Sequence, residues 1–210
     1  MLNVELVSYN TKSEDVCGDA AAFCRGIDNP EPQQKQKSLK HATDAGHESI
    51  IEFAHIVFKA SKLSRVTSHQ LVRHRLFSFA QVSQRHSNPR GFIIPPTIND
   101  NEVLKNKFLV GMDYLINLYN ELVDNGIPRE DARYVLAEAS ETGIFIGGNA
   151  RQWKHFFEER YCTRAQWEIR ELAKKCLVIC KQILPNIFDQ TYPDCKNCPE
   201  PCGNPQLIIK

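Results

Sequence analysis

The sequence lacks long apolar runs and has almost no excess of charge of either sign. No segment approaches the roughly 18 apolar residues of a membrane-spanning helix, so we expect no membrane insertion. The first 15 residues have neither the basic nor the apolar part of a secretion signal, which predicts a cytoplasmic protein. The formal charge of +1, from 26 basic and 25 acidic residues, gives no field that attracts nucleic acid. Anion binding must therefore depend on local clusters of cations.

The eight cysteines do not form the disulfide scaffold of a small secreted protein, because the chain has 210 residues and 42% hydrophobic content. We expect one domain over residues 1–188 and a Cys- and Pro-rich tail over residues 189–210. The closely spaced Cys195, Cys198 and Cys202 leave two alternatives: a reduced tail without metal, or three ligands of a zinc or iron–sulfur site. In the second case Cys180 or a neighbouring subunit supplies the fourth ligand. Since three thiols are incomplete, we assign no metal ligand.

Hydrophobic periodicity predicts an α+β protein without internal repeats, helix-rich and with a few short strands. We expect strands at residues 4–9, 55–63 and 142–146. We expect helices at residues 11–24, 33–45, 101–124, 128–138, 150–159 and 164–184, with a further helix carrying Arg73.

The chemistry is concentrated at Arg73-His74-Arg75, which is followed by Ser83 and Arg85. Arginine binds phosphate well because its planar fork donates two parallel hydrogen bonds. On a helix, Arg73 and Arg75 would point about 200° apart, since each residue turns the helix by about 100°. Both faces of such a helix could bind anionic ligands if the helix lay between two sites, as it would at a subunit interface.

The segment RHRLFSFAQVS contains Arg-His-Arg, seven residues and then Ser, and it resembles the hallmark of the flavin-dependent thymidylate synthases. Further similar blocks follow the family's order: GHESIIE at residue 46, FIIPP at 92, GIPREDAR at 126, NARQWKHFFEER at 149 and AQWEIR at 165. The resemblance covers residues 40–175. It implies a helix-rich single domain with a small, mainly antiparallel sheet, like the thymidylate synthase-complementing proteins.

The resemblance also implies two ligand sites and one catalytic group. The catalytic residue is Arg160, whose fixed cation would lie on the uracil ring and favour the N3-deprotonated, electron-rich pyrimidine. Gln81 is placed near both ligands. The implied FAD-binding residues are Ser49, Arg73, His74, Arg75, Gln81, Asn149, Arg151 and His155. The implied dUMP-binding residues are Gln70, Arg73, Gln81, Ser83, Gln84, Arg85, Arg133 and Arg160.

The activity implied by this resemblance is the reductive methylation of dUMP to dTMP. The carbon comes from 5,10-methylenetetrahydrofolate, the hydride comes from FAD reduced by NADPH, and no nucleophile of the enzyme is needed. The family assembles as a homotetramer whose sites are shared between chains. His86 stands where the family often has tyrosine. The alternative is a non-catalytic nucleotide-binding sensor with a metal–thiolate site in its C-terminal tail.

Overall fold

The computed structural model describes residues 1–190 and 192–203, and the remainder of the predicted tail lies outside these residues. Helices and short strands alternate along the chain, as the hydrophobic periodicity predicts. The strands are β1 (Asn3–Tyr9), β2 (His55–Ser64), β3 (Ser78–Gln81) and β4 (Glu141–Asn149). The α-helices are α1 (Ser13–Phe23), α2 (Pro32–Asp44), α3 (Arg65–Leu71), α4 (Pro96–Asn99), α5 (Glu102–Asp124), α6 (Arg129–Ala132), α7 (Ala150–Arg160) and α8 (Trp167–Ile183). Two 3₁₀ helices span Glu48–Phe53 and Arg133–Val135.

The four strands form one sheet in the order β1-β2-β4-β3, and every neighbouring pair is antiparallel. In the central pair His55 lies opposite Asn149, so the start of β2 meets the end of β4. Alternate residues of β2 are buried, which is the pattern of a strand with one face on the core. The expected helix-rich domain with a small antiparallel sheet is therefore confirmed.

The core lies between this sheet and the helices α7 and α8. Trp153 of α7 packs edge-on against Phe58 of β2, with ring centroids 5.0 Å apart. The buried face of α8 repeats at helical spacing, and its members are Ile169, Leu172, Ala173, Cys176, Leu177 and Cys180. No helix in the described part of the chain has both the length and the apolar character needed to cross a membrane.

The segment after β2 differs from the prediction. The helix α3 ends at Leu71, and residues 72–76 form turns, so the expectation that Arg73 lies on a helix is wrong. The short strand β3 was not predicted. It pairs with β4 at the sheet edge, with Ser78 opposite Gly147 and Gln81 opposite Ile144. The predicted helix over residues 128–138 is also shorter, since α6 ends at Ala132 and one 3₁₀ turn follows.

Candidate active site

A cleft of about 900 Å³ opens where the turn after α3 meets α7. Small-molecule sites commonly enclose about 300–1,000 Å³, so this cleft suits a large ligand. Seven of the predicted site residues line it: Arg73, His74, Arg75, Asn149, Arg151, His155 and Arg160.

The turn at residues 73–75 places all three of its residues at the cleft. Its backbone is held by hydrogen bonds from the His74 N–H to the Leu71 carbonyl at 3.1 Å and from the Phe77 N–H to the His74 carbonyl at 3.1 Å. Arg73 and Arg75 are exposed there, and His74 is buried in the wall of the cleft. The helical geometry that made the two arginines point about 200° apart is therefore wrong, whereas the prediction that they serve different sites stays a prediction.

His74 and Arg160 form a hydrogen-bonded pair in the cleft. The Arg160 Nε–H donates to His74 Nε2 at 2.8 Å. Burial lowers the pKa of His74 to about 4, and the nearby Arg160 cation acts in the same direction. Glu159 lies farther away, with Oε2 3.8 Å from His74 Nε2 and 3.7 Å from Arg160 Nη2. His74 is therefore a neutral acceptor at neutral pH.

Carboxylates already neutralise several of the cations that line the cleft. Arg151 Nη1 lies 2.7 Å from Glu52 Oε1, and Lys154 Nζ lies 2.8 Å from Glu48 Oε1. By contrast, Arg73 and Arg75 form no ion pair with any residue of the described ranges 1–190 and 192–203. Their guanidinium groups remain available to an anionic ligand.

Most of the predicted dUMP-binding residues lie outside this cleft, beyond the far end of β3. Gln81 donates to the Ser68 hydroxyl at 2.9 Å and to the Thr142 hydroxyl at 3.2 Å. Arg85 Nη2 lies 2.7 Å from Glu130 Oε2. Arg133 Nε donates to the carbonyl of the same Glu130 at 3.1 Å, so Arg85 and Arg133 share one neighbourhood.

Four other predicted residues also lie outside the cleft, and several unpredicted residues line it. Ser49 is exposed on the first 3₁₀ helix, while Gln70, Ser83 and Gln84 are half-buried outside the cleft. The unpredicted lining residues include Glu48, Glu52, Gln152, Lys154, Glu158, Glu159, Gln190 and Tyr192. Glu159 was detectable, because it stands four residues after His155 and their side chains lie 3.3 Å apart. The residues from the tail carried no sequence signal.

The structure narrows the metal alternatives. Cys180 is fully buried in the face of α8, where burial raises the pKa of its thiol. A fourth ligand from Cys180 would therefore have to come from inside this packed face, and that alternative stays a prediction. Within the described residues, His74, His155 and Glu159 form the one group of three potential ligands whose atoms lie within 4.8 Å of one another. The Arg160 cation on His74 disfavours a metal ion there.

An antiparallel sheet under helices defines an α+β protein, and its cleft holds two arginines, Arg73 and Arg75, that form no ion pair within the described residues. The family model described as "Thymidylate synthase complementing protein" matches residues 5–186, and the chain belongs to this family. A protein named flavin-dependent thymidylate synthase from Geobacter sulfurreducens is 37% identical over 213 residues, which cover 96% of this chain and 92% of that protein. Its namesake from Saccharolobus solfataricus is 37% identical over 204 residues, covering 93% and 78%. A third, from Clostridium tetani, is 37% identical over 226 residues, covering 95% and 91%.

Proposed function

We propose that this protein is a flavin-dependent thymidylate synthase that methylates dUMP reductively to dTMP. The carbon donor is 5,10-methylenetetrahydrofolate, and the hydride source is FAD reduced by NADPH. The observation that carries the proposal is the cleft, which in a member of this family holds two arginines that have no ion-pair partner among residues 1–190 and 192–203. The names of the relatives support the same activity.

The cleft residues fit a flavin dinucleotide. Arg73 and Arg75 provide unpaired cationic donors for its diphosphate, and charge-assisted hydrogen bonds of this kind contribute about 1.5–3 kcal/mol each. Arg151 and His155, which are exposed on α7, offer further hydrogen-bond donors to the flavin dinucleotide. The bound flavin would supply hydride transfer, while the protein supplies binding and orientation. Ser49 and Gln81, which do not line the cleft, would reach the flavin of another chain.

In this mechanism Arg160 stabilises negative charge on the pyrimidine. Its guanidinium is fixed at the cleft wall by His74, which suits electrostatic stabilisation of the N3-deprotonated ring. Ser83 is proposed as a binding group and not as a nucleophile; its hydroxyl accepts the Arg85 backbone N–H at 3.2 Å, which caps a turn. No thiolate attack is required, so Cys162→Ser should retain turnover in a folded, flavin-loaded protein.

We also propose a homotetramer with sites shared between chains. The strand β3 rises by about 3.3 Å per residue and separates the cleft from the cluster around Arg85 and Arg133. A dUMP molecule that contacts Arg160 and Arg85 would then receive them from different copies. The helix α5 supports this assembly, because Tyr119 is its one buried residue among 23. Its exposed large hydrophobic side chains are Val103, Leu104, Val110 and Tyr114.

The tail and the location complete the proposal. We propose a domain over residues 1–188 followed by a tail over residues 189–210, in a protein that acts in the cytoplasm. The start of the tail is docked on the domain, since the Tyr192 ring packs against Phe157 with centroids 5.8 Å apart. The Asp194 N–H, which donates to Glu158 at 2.8 Å, also ties the tail to α7.

Tritium release from C5-labelled dUMP tests the activity directly. We expect release that depends on FAD, NADPH and the folate together. The protein should purify yellow or take up FAD, and Arg75→Ala should weaken FAD binding by about 10- to 100-fold, as loss of about 1.5–3 kcal/mol implies. Lys107→Ala, on exposed α5, is the matched control for the loss of one positive charge. A colourless protein that binds no FAD on titration would overturn the flavin assignment.

Mixed assemblies test the shared site. Arg85→Ala and Arg160→Ala are each expected to be nearly inactive alone. After dissociation and joint reassembly, some sites contain neither defect, so activity should rise above that of either variant. Wild-type activity in a species shown by light scattering to be a monomer would exclude the shared architecture.

A further inference from the structure

The hydrogen bond between His74 and Arg160 has a defined direction. A guanidinium has donors and no acceptor, so Arg160 Nε–H donates and His74 Nε2 accepts at 2.8 Å. A neutral imidazole has one donor and one acceptor nitrogen. The proton of the His74 ring must therefore be on Nδ1.

The surroundings of His74 hold the ring in place. Its residue exposure is 9%, and the ring centroids of Phe156 and Phe77 lie 5.1 Å and 6.2 Å away. The charged neighbours are Arg160, which favours the neutral ring, and Glu159, which opposes this less strongly. His155 also faces the ring, with centroids 6.0 Å apart. A buried, caged and neutral ring is a fixed acceptor.

A neutral acceptor orients Arg160 without cancelling its charge. A carboxylate on Nε would form an ion pair and withdraw the cation from a ligand. Here the nearest carboxylate, Glu159, is 3.7 Å from Nη2, beyond ordinary hydrogen-bond distance. With Nε held by His74, the terminal N–H groups of Arg160 remain to face the cleft.

We propose that His74 is a positioning residue for Arg160, in which its Nε2 acceptor aims the fully charged guanidinium at the substrate pyrimidine. The inference rests on the proposed thymidylate synthase activity for the role of Arg160. In this proposal His74 affects catalysis by orienting Arg160, and this role is separate from any contact of His74 with the flavin.

A double-mutant cycle tests this role at saturating FAD and dUMP. His74→Phe keeps an aromatic ring and removes the acceptor, and we expect kcat to fall about 10- to 100-fold, the effect of losing a hydrogen bond to a charged group. Because His74 acts through Arg160, the double variant with Arg160→Ala should be no slower than Arg160→Ala alone. If the two losses multiply, the inference is wrong.

Arg151→Ala is the matched control, because this side chain lies in the same cleft and pairs with Glu48 and Glu52 rather than with Glu159, His74 or Arg160. Its loss should multiply with that of Arg160→Ala. His74→Gln offers an amide oxygen as acceptor and should recover part of the kcat lost in His74→Phe. If His74→Phe does not fold or bind FAD, the same cycle is run with His74→Leu against this glutamine variant, and equal kcat in the two would refute the acceptor role.

A measurement on the wild-type protein separates this inference from the proposed function. In protein labelled with ¹⁵N-histidine, the His74 ring should show the Nδ1–H tautomer from pH 6 to 8, and Arg160→Ala should change its Nε2 shift. A charged ring or an Nε2–H tautomer would overturn the positioning role even in an active enzyme. Absence of dUMP turnover together with the Nδ1–H tautomer would instead reject the proposed function.

Discussion

Glu168→Ala is predicted to destabilise the protein strongly, because Glu168 is a buried acceptor at the start of α8. Its exposure is 1%, and it accepts hydrogen bonds from the Ser64 N–H at 2.8 Å, the Ser64 hydroxyl and the Thr67 hydroxyl at 2.6 Å. Ser64 also caps α3 by accepting the Thr67 N–H at 3.1 Å. The carboxylate thus joins α8 to the helix that leads into the turn at residues 73–75.

The magnitude follows from the donors that lose their acceptor. A buried donor without a partner costs about 1–3 kcal/mol. The Ser64 N–H cannot move to another partner, whereas the two hydroxyls can partly satisfy each other across 3.4 Å. We therefore expect a loss of about 3–5 kcal/mol. Since about 1 kcal/mol corresponds to about 2–4 °C for a domain of this size, Tm should fall by about 6–20 °C. Glu168→Gln keeps the shape and one acceptor, so it should cost only about 1–2 kcal/mol.

Urea and thermal unfolding, followed by circular dichroism at one protein concentration, measure these differences. Glu171→Ala is the matched control, because it makes the same change on the same helix. Glu171 forms a 3.5 Å surface pair with Lys175, which contributes at most about 0.5 kcal/mol. A Glu168→Ala variant as stable as Glu171→Ala would refute the role assigned to the buried carboxylate.

Three further predictions concern the sheet, the cleft wall and acid stability. Gly148→Ala should lower Tm and FAD affinity, because its added Cβ would clash with an aromatic ring of the cleft wall. Gly147→Ala is the control: its Cβ would lie 3.7 Å from the nearest heavy atom, so Tm and FAD affinity should change little. Lys154→Met should lower the free energy of unfolding by about 1–2 kcal/mol, because Glu48 loses its 2.8 Å partner but is partly solvated and keeps Arg151 at 3.7 Å; adding Glu48→Gln should restore part of the loss in thermal unfolding. Burial lowers the pKa of His74 to about 4, whereas histidine in the unfolded chain has a pKa of about 6.5, so the unfolded chain binds an extra proton between these two pH values. As pH falls through this window, the free energy of unfolding of the wild type should decrease by up to about 3 kcal/mol relative to that of His74→Phe. Parallel plots of stability against pH for the two proteins would contradict this.

The elements predicted correctly from the sequence are those whose signal is local. Alternation along residues 4–9 and 55–63 identified β1 and β2, since each strand has one face on the core. The long periodicity before Asn125 and Gly126 identified α5, and Gly126 has the positive φ of 84° that favours glycine after a helix.

The turn at residues 72–76 and the strand β3 depend on tertiary contacts, so the local sequence pattern did not predict them. Only four residues form β3, and they take strand geometry by pairing with β4 at the sheet edge. The residues before them keep helical periodicity, yet α3 stops at Leu71. Burial of His74 against Phe156, a residue 82 positions later, favours the turn over a further helical turn.

The composition of the candidate site was more predictable than its electrostatics. Motif resemblance selected Arg73, Arg75, Arg151 and Arg160, and all four line the cleft. Ion pairing could not be read from spacing, because Glu52 lies 99 positions from the Arg151 that it contacts. The division between paired and unpaired cations is therefore a property of the fold.

The turn changes the reason for expecting sites shared between chains. On a helix, Arg75 would have needed a second site of its own, and that need alone would have implied an interface. On the observed turn, Arg73 and Arg75 can both bind one extended anion in one cleft. The case for a second chain depends instead on Arg85 and Arg133, which lie together around Glu130 and outside the cleft that holds Arg160. Arg85, which pairs with the Glu130 carboxylate, would bind a phosphate only by competing with it, so Glu130→Gln should tighten dUMP binding if Arg85 holds its phosphate. Unchanged or weaker binding in that variant would place the phosphate elsewhere.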